Sequence, residues 1–258
     1  MSDVLKALQD KLFIITLNRV TKHNAFDDEL LIKLQLALDE AQQNPEVRVI
    51  ILKANGEHFS AGADIGWMQR MVNYTEQENL ADAKILSNVM YSLYHSNKPT
   101  LAMVQGYAIG GGAGLVAACD IAIAAHNARF CFSETKLGLI PAVISPYVLR
   151  AIGERSTAAL FMSAETFDAR RALELKLIHH CVAPEQLQTH TLDYAKQIAS
   201  LAPGAVSDCK VLIKQVANRP IDETLQNLTA SVIAKKRISK EAQIGLQAFL
   251  NKETPNWN

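Results

Sequence analysis

Hydrophobic positions along the chain switch between two periods. Leu12 to Leu17, LFIITL, is an unbroken run of apolar and β-branched residues, whereas the stretch after NRVTKHNAF places Leu30, Leu31, Leu34 and Leu38 at helical spacing. The first pattern predicts a buried strand and the second an amphipathic helix. Asp27 and Asp28 stand where an N-cap and a first-turn charge are favoured. The alternation returns at VRVIILKA, followed by a turn and a long helical stretch, and again at TLAMVQG, followed by GGGAGLVAACD. IAIAA after Asp120 and ARFCF before SETKLG add two further strands. Strands feeding helices in this order predict an α/β fold with a largely parallel sheet. Beyond about Pro184 the strand signal ends and Pro203, Gly204 and Pro220 punctuate helices. The expected organisation is a main body over 1–195 and a helical region over 196–258.

Composition narrows the partners. Hydrophobic residues make up 49% and charged residues 20% of the 258, the balance of a chain that buries a core rather than a solvated tail. Lys+Arg 26 against Asp+Glu 26 leaves no global field for polyanions, so nucleic acid is not an expected partner. The basic run Lys235, Lys236, Arg237 and Lys240 reads as the solvated face of a helix. Cys119, Cys131, Cys181 and Cys209 are scattered without CxxC spacing, which fits a reduced, cytoplasmic setting. Met1 to Lys11 has neither the apolar run of a signal peptide nor the bias of a transit peptide. No apolar run reaches the roughly 18 residues of a membrane span. The seven histidines lack HExxH spacing, with His179 and His180 placed at a strand entrance, so no metal site is expected. Ser60 and Ser145 lack the GxSxG context of a seryl nucleophile. Trp67, Met68 and Met71 share a helical face and read as core or pocket lining.

Three segments are left as candidates for chemistry. His58-Phe59-Ser60-Ala61-Gly62-Ala63-Asp64 sets small residues between a strand and a helix, where the first helical N–H groups lack internal partners and face an anion or a polarised carbonyl. An ordinary tight turn capped by Asp64 explains that segment equally well on its own. Gly106 to Gly114 carries five glycines in nine residues, and such a cluster marks close backbone approach or positive φ. Within it Gly112-Ala-Gly114-Leu-Val-Ala117 fits the GxGxxA dinucleotide pattern, with Glu134 twenty residues on. Glu134 nevertheless follows RFCFS, after the intervening strand IAIAA, where a Rossmann acid would end the second strand of its unit. In the third segment, SETKLGLIP, Ser133 is a candidate N-cap and Glu134 a first-turn charge. Two backbone-donor turns and one carboxylate together match one chemical need: acidifying the carbon next to a thioester, or adding across it. Negative charge develops on the carbonyl oxygen, two N–H groups hold it, and the carboxylate moves the proton.

With NRVTKHNAF, HFSAGAD, QGYAIGGGAGLVAACDIAIA, SETKLGLIP and the terminal AFLNKETPNW, the chain resembles the crotonase superfamily of enoyl-CoA hydratases and isomerases over nearly its whole length. The resemblance implies a spiral of ββα units and a C-terminal helical region used in homotrimers or dimers of trimers. It implies an acyl-CoA thioester substrate, with coenzyme A arriving as part of that substrate and no separate cofactor. By position, the N–H groups of Ala63 and Gly111 match the oxyanion hole. Ala61, Ala63, Asp64, Ile65, Gly66, Gly111 and Gly114 lie in stretches that meet substrate or CoA. Glu134 matches the second of two catalytic glutamates, and Gly114 stands in place of the first. GADIGWMQRM and KLGLIPAVISPYVLRAIG are most similar to methylglutaconyl-CoA hydratases of leucine degradation and related branched-chain or acyclic-terpene pathways, with Tyr147 and Arg150 as candidates for a distal carboxylate. The resemblance therefore implies hydration of an α,β-unsaturated acyl-CoA. A Δ3,Δ2 isomerase and a non-catalytic acyl-CoA- or RNA-binding member are the alternatives.

Overall fold

A computed structural model describes residues 2–257. The chain opens with a hairpin, β1 (Val4–Gln9) pairing antiparallel with β2 (Leu12–Leu17). Between them Asp10 and Lys11 have φ of 50° and 66°, the left-handed conformation that a two-residue hairpin turn needs. The hydrophobic pattern does not predict β1. In VLKALQ only Val4 is buried, so this edge strand lacks the apolar signal that a central strand carries. After it come α1 (Asp28–Gln43), β3 (Val49–Ala54), α2 (Ile65–Met71), α3 (Glu76–His95), β4 (Thr100–Val104), β5 (Tyr107–Ile109) and α4 (Gly111–Ala118). The order continues with β6 (Ile121–Ala125), β7 (Arg129–Cys131), α5 (Ser145–Ser163), β8 (Phe167–Asp168), α6 (Ala169–Glu174), β9 (His180–Val182) and α7 (Leu187–Ala199).

Six strands form one sheet in the order β1-β2-β3-β4-β6-β9, and every pair after the first is parallel. Its central strands are buried on both faces, which is why they read as continuous apolar runs rather than alternating ones. A second sheet, β5-β7-β8, pairs β5 with β7 in parallel. Thus β4-β5-α4 and then β6-β7 each lay one strand in the large sheet and the next in the small one, the ββα spiral that the resemblance implies. Isolated parallel bridges, Phe26 to Ala63 and Ser60 to Ala108, carry the small sheet's pairing across earlier turns of the spiral. Segments far apart in sequence are thereby stacked edge to edge. Asp27 accepts the Leu30 N–H at 3.0 Å, and Leu30, Leu31, Leu34 and Leu38 are all buried.

The chain divides into two compact units, one ending at Lys196 and one beginning at Gln197. The second contains α8 (Pro203–Val216), α9 (Glu223–Arg237) and α10 (Lys240–Asn251). Lys235, Lys236 and Arg237 form the last turn of α9, where positive charge complements the helix dipole. Lys236 also pairs with Asp208 at 2.8 Å and Glu241 at 2.9 Å, so that part of the basic run serves helix packing. Among the described residues no helix is long and apolar enough to cross a membrane.

Candidate active site

The two glycine-rich turns meet. Ser60 donates its N–H to the Tyr107 carbonyl at 2.9 Å, and Ile109 returns its own to the Ser60 carbonyl at 3.0 Å. A Cβ added at Gly62 would lie 3.1 Å from the Ile109 carbonyl oxygen, and one at Gly112 would lie 2.9 Å from Ser60 Cβ. The glycines at 62 and 112 are what let the segments approach this closely. On the far side, Phe26 and Asp64 exchange backbone bonds around Ala63: Phe26 N–H to the Gly62 carbonyl and Asp64 N–H to the Phe26 carbonyl, both at 2.9 Å. This pairing turns the Ala63 N–H away from the Phe26 strand, and it has no hydrogen-bond partner among the described residues. Gly111 opens α4, so its N–H belongs to the orphan donors of a first helical turn. It too has no partner among the described residues.

Glu134 is delivered to the second turn by β7, whose last residue, Cys131, accepts the Gly110 N–H at 2.7 Å. Its Oε1 lies 3.1 Å from where a Gly110 Cβ would stand, and Gly110 has φ +52°. A side chain at 110 would therefore be strained and would press on the carboxylate. Glu134 Oε2 is buried and has no hydrogen-bond partner. Burial pushes its carboxyl above the ordinary 4.5, only partly offset by its own backbone N–H. The sequence expectation for Ser133 needs correction. Glu134 to Leu137 is a single 3₁₀ turn, and the Ser133 side chain makes no cap bond. With ψ of −2°, Ser133 does not adopt the extended conformation of an N-cap. The turn is held instead by Leu139 N–H on the Glu134 carbonyl at 3.1 Å and Thr135 Oγ1 on the Phe161 carbonyl at 3.0 Å.

The remaining predicted residues divide by environment. Ala61 and Ile65 are exposed beside Ala63, Ile65 to 71%. Asp64 is buried, and its polar groups are satisfied within the chain. Its carboxylate accepts Lys22 Nζ at 2.7 Å and the Trp67 N–H at 3.2 Å. Gly66 fits under it, a Cβ there lying 3.0 Å from Asp64 Oδ1. Asp64 thus fixes the turn that presents Ala63. The Lys22 hydrogen bond holds its carboxyl below the usual carboxylate range. Such a group stabilises the fold above its unfolded pKa, and the contribution is lost as pH falls through the lowered folded value. Asparagine keeps the cap but loses the charge-assisted bond to Lys22, so thermal melts should show Asp64→Asn less stable than wild type at neutral pH, with the gap closing in acid.

Trp67 is core, its Nε1 donating to Asp82 at 2.8 Å and its ring edge-on to Phe26 at 6.1 Å. Tyr147 packs edge-on against Tyr94 at 5.6 Å, and the Arg150 guanidinium lies 5.6 Å from the Tyr94 ring centre. Gly114 is buried. A Cβ there would fall 2.2 Å from Ile144 Cγ2 and 3.1 Å from Met90 Cε. Sequence reasoning missed three neighbours of the site: Phe26 against Gly111, and Ile144 with Met90 against Gly114. Only the apolar character of these three is visible in sequence.

A ββα spiral with unpaired N–H groups at two interlocked turns and a partly desolvated carboxylate beside one of them is an arrangement able to polarise a carbonyl and move a proton next to it. The family model for enoyl-CoA hydratase/isomerase matches residues 8–258, and the chain belongs to that family. The chain is 34% identical to a short-chain-enoyl-CoA hydratase of Clostridium acetobutylicum over 85% of this chain and 82% of that one. A Legionella pneumophila structure that carries the name enoyl-CoA hydratase/isomerase (crotonase) superposes with a TM-score of 0.97 at 62% identity, covering all of both chains. An enoyl-CoA hydratase structure from Shewanella pealeana gives 0.96 at 40% identity, over 99% of this chain and 96% of that one.

Proposed function

We propose that the protein adds water across an α,β-unsaturated acyl-CoA, with the thioester carbonyl held by the N–H groups of Ala63 and Gly111 and protons moved by Glu134. The observation that carries this reading is Glu134 Oε2, buried without a hydrogen-bond partner, on a carboxylate set against Gly110. In this reading an oxygen held by the two N–H groups sets the adjacent carbons before that carboxylate. Enolate charge is stabilised by donors already in place. Coenzyme A enters as part of the substrate. Relatives named as hydratases support the reaction class.

The acyl group in this reading is branched and methylglutaconyl-like. Its support is the sequence similarity of GADIGWMQRM and KLGLIPAVISPYVLRAIG, with Tyr147 and Arg150 supplying a hydroxyl and a cation on one helix. A homotrimer or dimer of trimers through the C-terminal helices goes with it, supported by Ile213, Phe249 and Leu250, each more than 60% exposed. A reduced, cytoplasmic setting is part of the same reading.

A second reading, a shift of the double bond between positions 3 and 2, is favoured by one observation. Ile144 and Met90 fill the side-chain space of Gly114, leaving Glu134 as a lone carboxylate, and one group suffices to move a proton between carbons. Purified protein incubated with a panel of unsaturated acyl-CoAs, methylglutaconyl-CoA among them, separates the readings by product mass. Hydration is expected as gain of one water, and isomerisation without mass change would replace it by the second reading.

A further inference from the structure

The two turns rest against different helices. Trp67 on α2 donates its backbone N–H to Asp64 Oδ1 at 3.2 Å, and Asp64 directly follows Ala63. The Trp67 ring stands edge-on to Phe26 at 6.1 Å, and the Phe26 backbone brackets Ala63 on both sides. At the other turn, the Cβ direction of Gly111 meets Phe26 Cζ at 2.5 Å and Leu86 Cδ2 of α3 at 3.4 Å. Asp82 stands four residues before Leu86, so the two share one face of α3. Its Oδ1 accepts the Trp67 Nε1–H at 2.8 Å. This bond therefore joins the helix that follows the Ala63 turn to the helix that packs on Gly111. Trp67, at 3% exposure, is the deep anchor of α2, whose Ile65, Gln69 and Arg70 are exposed. The Arg70–Asp28 ion pair also reaches α2, but it lies at the surface, where such pairs hold weakly.

We infer that Asp82 is a positioning residue for both proposed donors: by holding Trp67 it seats Phe26, and through Phe26 it sets where the Ala63 and Gly111 N–H groups point. The inference rests on the donor roles proposed above. Asp82 is half-buried, and an ionised carboxylate binds an N–H more strongly than a neutral acceptor does. Without that acceptor the indole N–H would be left buried and unpaired, which favours a ring that turns away toward water. Turning Trp67 removes the edge against which Phe26 packs. Phe26 then shifts over Gly111 and carries its two backbone bonds around Ala63 with it. Asp82 acts through Trp67 and not on substrate, so it alters how firmly a carbonyl is polarised more than whether the acyl-CoA is bound.

The test compares wild type with Asp82→Asn, Asp82→Leu, Trp67→Phe and the pair Asp82→Leu/Trp67→Phe, with thermal unfolding alongside. Turnover is read with but-2-enoyl-CoA and methylglutaconyl-CoA. Polarisation is read separately, by isotope-edited infrared spectroscopy, as the lowering of the carbonyl stretch when butanoyl-CoA carrying a heavy-carbon label at its thioester carbon binds. Asp82→Leu is expected to lower kcat by about 10²-fold, the scale of a small misplacement made far from the chemistry, with a smaller change in KM. Its lowering of the stretch should shrink. Asp82→Asn, whose amide oxygen still accepts the indole N–H, should keep most of both. Trp67→Phe should fall as Asp82→Leu does. The pair, which leaves no indole N–H unpaired, should be no worse than either single variant. A folded Asp82→Leu with wild-type kcat and stretch would overturn the inference and leave the proposed function standing, as would a loss of thermal stability with kcat unchanged. A wild type that leaves the stretch of butanoyl-CoA unmoved would remove the donor roles and the inference with them.

Discussion

Replacing Glu134 by glutamine is expected to lower turnover by at least about 10²–10⁴-fold, the usual contribution of a positioned general acid or base, while the protein becomes no less stable at neutral pH. The two halves of this result share one cause. Glu134 Oε2 is buried without a partner, and its carboxyl is pushed up by desolvation, so the folded state binds its proton more tightly than the unfolded state does. The sign follows from linkage. Between the ordinary carboxylate range and the raised folded value, the folded form holds more protons, so wild-type stability falls as pH rises through that window. Glutamine removes the ionisation and with it this slope. Melts of both proteins across that range should converge in acid and separate in favour of the variant above it. Turnover that survives the substitution would remove Glu134 from the reaction.

The same geometry explains what was legible in the sequence. LFIITL, VRVIILKA, TLAMV and IAIAA announce themselves because parallel strands buried on both faces must be apolar throughout. The turns proposed to carry the chemistry are legible for a related reason, since glycine clusters mark backbones that approach closely. What local pattern does not encode is pairing over distance. Nothing in HFSAGAD says that Ser60 will bridge to Ala108, or that Gly62 will rest on the Ile109 carbonyl. Ile144 looks like one more apolar residue in PAVISPYV until Gly114 is found beneath it. The edge strand β1 is hidden because five of its six residues are exposed. Ser133 misleads because its residue type suits a helix cap, whereas the bonds at Thr135 and Leu139 hold a tighter turn there.

Gly111 joins the fold to the proposed chemistry, and its substitution by alanine should reach both proposed donors at once. A Cβ there would stand 2.5 Å from Phe26 Cζ, with Leu86 Cδ2 at 3.4 Å. Phe26 is itself buried, edge-on to Trp67 and hydrogen-bonded through its backbone on both sides of Ala63. The ring has little freedom to retreat, so strain passes into the two turns and displaces both N–H donors together. Misplacing a donor of this kind costs about 3 kcal/mol of transition-state stabilisation, or roughly 10²–10³ in kcat. Gly111→Ala is therefore expected to reduce kcat by that factor with a smaller change in KM. Phe26→Leu, which removes the ring atom met first, should recover part of the loss when combined with it. Kinetics of the two single variants and the pair test this directly, because a loss that Phe26→Leu fails to relieve would place the damage elsewhere than in the contact between residues 26 and 111.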